Sequence, residues 1–164
     1  MRLHEELKLK REYDNHDNEA LLNIVVTTSR LFNFSDRFFS NYGVTTTQYN
    51  IIKTLEGFDE EGLSQQDLSE KLVVSKSNMV GLIDRLEKAG YVSRDKHPTD
   101  RRQHVLHLTK KSHDLIKRVD KVYFSKIEDL MKGISFEKKR VLIGCLEIIR
   151  VNISDADKHG GVAK

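Results

Sequence analysis

Proline, cysteine and long apolar runs are nearly absent from this sequence, and each absence narrows what the chain can be. Its 164 residues include one proline and nine glycines, which favours long regular elements with few interruptions. The single cysteine, Cys145, excludes an intramolecular disulfide and indicates a reducing compartment, so we expect a cytoplasmic protein. No segment reaches the roughly 18 apolar residues of a membrane-spanning helix, and the charged first residues lack the apolar region of a secretion signal.

Patterns of catalytic and metal sites are also missing. The sequence contains no glycine-rich phosphate loop and no nucleophile motif, so we expect no enzymatic activity. Seven histidines are present, but His104 and His107 lie three residues apart in a predicted strand and should point to opposite faces. With one cysteine and no pair of ligands at helical spacing, we expect neither a metal site nor a cofactor.

Charge is distributed unevenly, although the net charge is only +3. Residues 1–74 carry 8 basic and 13 acidic side chains, whereas residues 75–111 carry 9 basic and 4 acidic ones. Residues 112–164 carry 11 basic and 8 acidic side chains. A local positive field of this kind is typical of proteins that bind a polyanion. Charge alone leaves open the alternative that this segment is only a solvated surface.

The first part of the chain shows two helical patterns. Apolar residues at i, i+3 and i+4 spacing predict a long helix over residues 18–42, capped by Asp17 or Asn18. A second helix is predicted to residue 55, and Thr45 with Gln48 forms the capping-box pattern that marks its start. Residues 1–17 are polar, and we assign no function to this N-terminal arm.

The centre of the chain predicts a helix, a turn, a second helix and a hairpin. The helices cover residues 64–72 and 75–89, with Ser64 and Ser75 as N-caps and Gly90 at the end of the second. Residues 91–94 and 103–108 predict two strands, and a turn-rich basic loop joins them. This order of elements favours a winged helix-turn-helix domain.

Two more long amphipathic helices are predicted after the hairpin. The first should be capped by Thr109 and run to about residue 132. The second runs from about residue 136 to 153 and carries Cys145 on its apolar stripe, where we expect the thiol to be buried. Residues 155–164 are small and polar, and we expect a flexible tail.

The helix over residues 75–89 has the composition of a helix that enters the DNA major groove, which is about 12 Å wide. One side is apolar and anchors the helix to its own domain. The other carries small, basic and hydrogen-bonding residues: Ser75, Lys76, Ser77, Asn78, Gly81 and Arg85. Free N–H groups at the helix start favour phosphate, and Asn78 can pair with adenine.

The basic hairpin adds a second expected contact with DNA. Arg94, Lys96 and Arg101 are suited to phosphates, and Arg102 to the narrow minor groove. Asp100 lies among basic neighbours and is expected to orient one of them through an ion pair. The start of the first short helix supplies two further expected DNA contacts, Ser64 and Gln65.

Residues 45–109 resemble the MarR family of bacterial transcription regulators, and the likeness extends over residues 18–153. It is carried by the run Leu68-Ser-Glu-Lys-Leu, by the segment from Ser75 to Val92, and by the wing sequence Asp100-Arg-Arg. The resemblance implies a homodimeric repressor on a pseudo-palindromic operator. Residues 18–44 and 110–154 would form the dimerisation region, and residues 45–109 the DNA-binding domain. The family's Asp-x-Arg wing pattern assigns the minor-groove contact to Arg102.

The resemblance also implies a small-molecule effector between the dimer helices and the DNA-binding lobe. Candidate lining residues are Phe32, Phe38, Phe39, Tyr42 and Tyr49, and core packing is the alternative role for each. Gly81 departs from the family, which often carries a basic residue there. A rival function is a protein-interaction adaptor that uses the winged helix on an acidic partner. The two differ in salt dependence, which is steep for a DNA-binding protein.

Overall fold

Helices dominate the described part of the chain, where three short strands form one sheet. The computed structural model describes residues 2–10, 13, 15–58, 61–72, 76–96 and 104–158. The elements are α1 (Leu3–Glu6), α2 (His16–Ser40), α3 (Thr46–Glu56), β1 (Leu63–Ser64), α4 (Gln65–Leu72), α5 (Lys76–Lys88), β2 (Val92–Lys96), β3 (His104–Leu108), α6 (Lys110–Leu130) and α7 (Phe136–Lys158). The predicted class, mainly α with a small β-hairpin, is confirmed. None of the helices in these ranges combines the length and apolar composition needed to cross a lipid bilayer.

The sheet is antiparallel, with strand order β1-β3-β2. The predicted hairpin is confirmed, and Val92 pairs with Leu108 at one end of it. Two details differ from the sequence expectation. The short strand β1, where Leu63 pairs with Leu106, was not predicted, because two residues show no periodicity. β2 also reaches Lys96, which the sequence placed in the loop.

The turn before β1 requires glycine at position 62. Gly62 has φ +67°, in the left-handed region. A Cβ there would lie 2.6 Å from His107 Cε1 and closer still to Val105 Cγ1. Both conformation and space therefore exclude a side chain, and β3 packs directly against this backbone.

Helix starts are set by side-chain caps, one of which differs from the prediction. Asn15 caps α2 in place of Asp17 or Asn18, since Asn15 Oδ1 accepts hydrogen bonds from the N–H groups of Asp17 (2.8 Å) and Asn18 (3.3 Å). The predicted capping box of α3 is confirmed. Gln48 N–H donates to Thr45 Oγ1 at 3.2 Å, and Thr45 N–H donates to Gln48 Oε1 at 2.9 Å.

The chain divides into two compact units, Met1–Lys121 and Val122–Lys164. In the first unit, apolar side chains of α2 to α5, the sheet and the first half of α6 form a core. Those almost wholly buried are Phe39, Ile51, Ile52, Leu55, Leu68, Met79, Ile83, Leu86, Leu106, Leu115 and Val119. Three of them lie on α5, so this helix is fixed firmly to its domain.

The second unit contains the last part of α6 and all of α7, and much of its apolar surface is exposed. Phe136, Val141 and Ile148 are 69%, 65% and 63% exposed. Cys145 is exposed as well. The expectation of a buried thiol is therefore wrong for the single chain, because the apolar stripe on which it lies is itself exposed.

The N-terminal arm holds a short helix that is attached to α2. Leu3 of α1 is buried, and Glu6 forms an ion pair with Arg30 of α2. The arm thus belongs to the first unit.

Candidate nucleic-acid interface

A reciprocal contact between Ser64 and Asp67 closes the start of α4. Ser64 Oγ accepts from the N–H of Asp67 at 3.1 Å, while Asp67 Oδ2 accepts from the N–H and the hydroxyl of Ser64 at 3.1 and 2.6 Å. The predicted N-cap is confirmed. Ser64 also ends β1, so one residue fixes the junction between sheet and helix. Gln65, the other DNA contact expected here, is half-buried beside it.

α5 carries buried apolar residues on one side and polar residues on the other, as the sequence predicted. Met79, Ile83 and Leu86 are fully buried on one side. On the other side Ser77 and Asn78 are exposed near the start of the helix, in the first two turns. Further along the same side, Gly81 is half-buried and Arg85 is exposed. A Cβ at Gly81 would lie 3.5 Å from Arg85 Nη1, so the guanidinium lies back over the glycine. Ser75 and the side chain of Lys76 fall outside the described residues.

Arg94 of β2 forms ion pairs with two carboxylates of α5. Its guanidinium contacts Asp84, and its Nε lies 3.3 Å from Glu87 Oε2. The Arg94 side chain is 28% exposed, against 54% for Asp84. This pairing conflicts with the expectation that Arg94 contacts phosphate, because an arginine held by two carboxylates has little net positive charge to offer. It joins the hairpin to α5 instead.

The end of α5 is tied to the start of α6 by side-chain hydrogen bonds to backbone carbonyls. Thr109 Oγ1 donates to the carbonyl of Gly90 at 2.7 Å, and Ser112 Oγ donates to that of Tyr91 at 2.5 Å. The Nζ of Lys111 lies 4.5 Å above the Tyr91 ring centre. Thr109, predicted as the cap of α6, stands directly before that helix; its carbonyl accepts from the N–H of His113, and its hydroxyl donates to the chain just after α5. Sequence periodicity gave no signal for this junction.

β2 and β3 pair as the two strands of the wing. Lys96 is exposed at the end of β2, opposite His104 on β3. Near the middle of the hairpin, His107 Nε2 lies 4.0 Å from Asp95 Oδ2. The remaining residues expected to bind DNA here are Asp100, Arg101 and Arg102, and they fall outside the described residues.

The aromatic residues proposed as an effector site form a packed cluster between α2 and α3. Phe39 and Tyr49 are buried and stacked, with ring centres 4.2 Å apart. Phe38 contacts both Phe39 and Tyr42 with centroid distances of 5.2 Å. Phe32 is exposed and lies seven residues before Phe39 on α2. The structure brings four of the five together, and two of these serve as core.

A polar network that the sequence did not indicate ties α3 to α6. The Tyr49 hydroxyl donates to Asp120 Oδ1, and Lys53 Nζ donates to Asp120 Oδ2 at 2.7 Å. Lys53 also pairs with Glu56. Burial alone would lower the pKa of Lys53, but its hydrogen bonds to Asp120 and Glu56 outweigh burial and raise that pKa. Asp120 thus accepts from both Tyr49 and Lys53 and joins the two helices.

Histidines and acids do not gather into a metal site within the described ranges, where no three His, Cys, Asp or Glu side chains lie suitably close. His104 and His107 are two of five residues of β3 and lie on opposite faces of the sheet.

Comparison with known proteins identifies the same part of the chain. The sequence profile of the MarR family matches residues 44–104. A candidate transcriptional regulatory protein for the hcr operon of Thauera aromatica is 30% identical over 64% of this chain, and the matching region spans 62% of that relative's length. The transcriptional repressor YetL of Bacillus subtilis is 26% identical over 78% of this chain and 77% of YetL. The MepR chain of an S. aureus MepR–DNA complex has the same fold, with a TM-score of 0.73, 17% identity and coverage of 79% of this chain and 93% of MepR.

Proposed function

The chain belongs to the MarR family, and from this premise we propose that it is a sequence-specific, duplex-DNA-binding transcription regulator that acts as a homodimeric repressor. One observation carries the proposal. α5 presents an exposed polar side while its apolar side is buried, and Arg94 fixes this helix to a hairpin that carries basic residues. A rigid helix flanked by a basic wing fits the major groove and the adjacent backbone.

In this proposal, α5 and the wing contact DNA in different ways. Ser77 and Asn78, at the exposed start of α5, read base edges. Lys76, Lys96 and Arg101 bind phosphates, and Arg102 enters the minor groove. Asp100 orients one of its basic neighbours through an ion pair.

Arg94 contacts no DNA phosphate in this proposal, because Asp84 and Glu87 already neutralise its positive charge. The acid pair three residues apart on α5 was visible in the sequence, but its partner on β2 follows only from the fold. Arg85 is exposed on the polar side of α5, and we assign it a contact with a DNA phosphate.

Homodimerisation is supported by the distribution of exposed apolar surface. On α2, Leu21, Val25 and Phe32 are 54%, 55% and 46% exposed. On α7, Val141 and Ile148 are more exposed still. Single exposed apolar residues are ordinary, but several of them on one helix mark a surface that a partner covers. We assign it to a second copy of the chain, through residues 18–44 and 110–154.

We place the proposed small-molecule effector only at the edge of the aromatic cluster. Phe39 and Tyr49 cover each other, so an effector would contact the half-buried rings of Phe38 and Tyr42. Such binding would relieve repression by changing how the DNA-binding elements are held.

Selection of bound sites from a random duplex pool at one stated salt concentration tests the proposal. The expected result is an inverted repeat whose half-sites lie about one helical turn apart, at 10–10.5 base pairs. Recovery of no common sequence would overturn it. The rival adaptor function predicts binding to an acidic protein with shallow salt dependence. A regulator that neutralises several phosphates should instead show log K falling with log salt by about 0.9 per contact.

A further inference from the structure

The helix proposed to face DNA, α5, carries an exposed apolar side chain, although only its polar residues were expected to contact DNA. Val80 of α5 is 44% exposed, whereas its neighbour Met79 and the next-turn residue Ile83 are fully buried. Among the residues that the structure describes from 46 to 121, Val80 is the single large apolar side chain with this degree of exposure. The dimer surface does not explain it, since that surface lies on α2, α6 and α7.

The position of Val80 on the helix indicates what its methyl groups meet. It follows Ser77 by three residues and precedes Asp84 by four, so the three share one side of α5. The adjacent residue, Gly81, has no side chain of its own, and the Arg85 guanidinium lies over it. Arg94 covers this side only from Asp84 onward, one turn later. Val80 is therefore uncovered at the point where α5 is proposed to enter the groove.

We propose that Val80 is a specificity-determining residue that recognises the 5-methyl group of a thymine in each half-site. This inference rests on the proposed DNA-binding function. The thymine methyl is the apolar feature of the major-groove edge, and small apolar side chains contact it. Val80 carries two methyl groups and no hydrogen-bonding atom, so it discriminates by apolar contact alone. Removing one buried methyl group corresponds to roughly a fourfold loss of affinity.

Deoxyuridine tests the proposal, because it lacks only the methyl group and keeps the hydrogen-bonding edge of thymidine. Each thymidine in one half-site of the selected operator is replaced in turn, and dissociation constants are measured for wild type and Val80→Ala. Wild type should lose roughly fourfold at one thymidine, and Val80→Ala, whose single methyl group lies closer to the helix, should lose clearly less at that position. Val80→Thr is the matched variant, since it keeps the branched shape and one methyl group, and should retain part of the preference.

The possible outcomes distinguish failure of this inference from failure of the proposed DNA-binding function. An equal cost of deoxyuridine in wild type and Val80→Ala at every position would overturn the role of Val80 and leave the regulator intact. Failure of wild type to select any site would overturn the regulator and this inference together. Because alanine favours helix, loss of the fold is not expected, and thermal melting of Val80→Ala checks this.

Discussion

Asp84 on α5 and Arg94 on β2 are joined by an ion pair that links the two elements proposed to contact DNA. Glu87, three residues further along the helix, places a second carboxylate 3.3 Å from Arg94 Nε. Because a guanidinium donates in fixed directions, this pairing sets the position of the wing as well as cancelling the acids. Arg94 is thus used within the protein.

Replacing Arg94 should weaken operator binding through the two acids that it leaves unpaired. Arg94→Gln is expected to cost roughly tenfold, about 1.4 kcal/mol, because two carboxylates then face a phosphate backbone without compensation. Gel-shift titration measures this loss. In an Asp84→Asn, Glu87→Gln background the same change should cost little. An equal cost in both backgrounds, with the salt slope reduced by about 0.9, would make Arg94 a phosphate contact.

Gly62→Ala should destabilise the fold more than the same change at another left-handed glycine. Gly62 (φ +67°) and Gly90 (φ +75°) share the strained conformation, but only at Gly62 would a Cβ meet Val105 and His107. Strain costs about 1–2 kcal/mol at either site, and overpacking adds about 1–3 kcal/mol at Gly62. Chemical denaturation of both variants measures the difference. Equal losses of unfolding free energy would show that β3 does not pack against this turn.

The pKa of Lys53 predicts how its stabilising effect varies with pH. Burial opposes the charged form, but hydrogen bonds to Asp120 and Glu56 raise the pKa above its ordinary value. The stabilisation should be complete below the unfolded pKa, about 10.4, and be lost as pH rises through the higher folded value. The gap in unfolding free energy between wild type and Lys53→Met should therefore be constant near neutral pH and shrink above about pH 10.4.

Urea denaturation at several pH values checks this, with Lys121→Met as the control at an exposed lysine of the same unit. A gap that stays constant through strongly alkaline pH would show that the Lys53 charge contributes nothing to stability.

A charge placed on the apolar side of α7 should separate the proposed dimer. Ile148 is 63% exposed in the single chain, and Ile148→Asp would bury a carboxylate in an apolar interface. Sedimentation equilibrium should show dimer for wild type and monomer for Ile148→Asp. Glu147→Lys, a charge reversal at the adjacent exposed position, should remain dimeric. If Ile148→Asp dimerised as strongly as wild type, α7 would not be part of the dimer interface.

Local sequence was sufficient for the elements whose signals lie within one turn. Thr45 with Gln48 and Ser64 with Asp67 are three residues apart, and both caps form. Apolar spacing likewise placed Met79 in the core. The same logic failed for α2, because Asn15 precedes the predicted caps and is equally suited to capping.

Contacts between distant residues were beyond local reasoning. Arg94 meets Asp84 across ten positions, and Thr109 reaches the carbonyl of Gly90 across nineteen. Both contacts exist only once the hairpin folds back on α5. The exposure of Cys145 was missed for a related reason: an apolar stripe shows that a surface is to be covered, but not by which chain.

The exposed polar side of α5 is proposed to distinguish one duplex sequence from another. Fluorescence anisotropy at one salt concentration, with the selected operator and a scrambled duplex, compares wild type with Asn78→Ala. Wild type should bind the operator at least roughly a thousandfold more tightly than the scrambled duplex. Asn78→Ala should lower this ratio by about tenfold or more and leave scrambled binding unchanged. Equal wild-type affinities for the two duplexes would contradict the account.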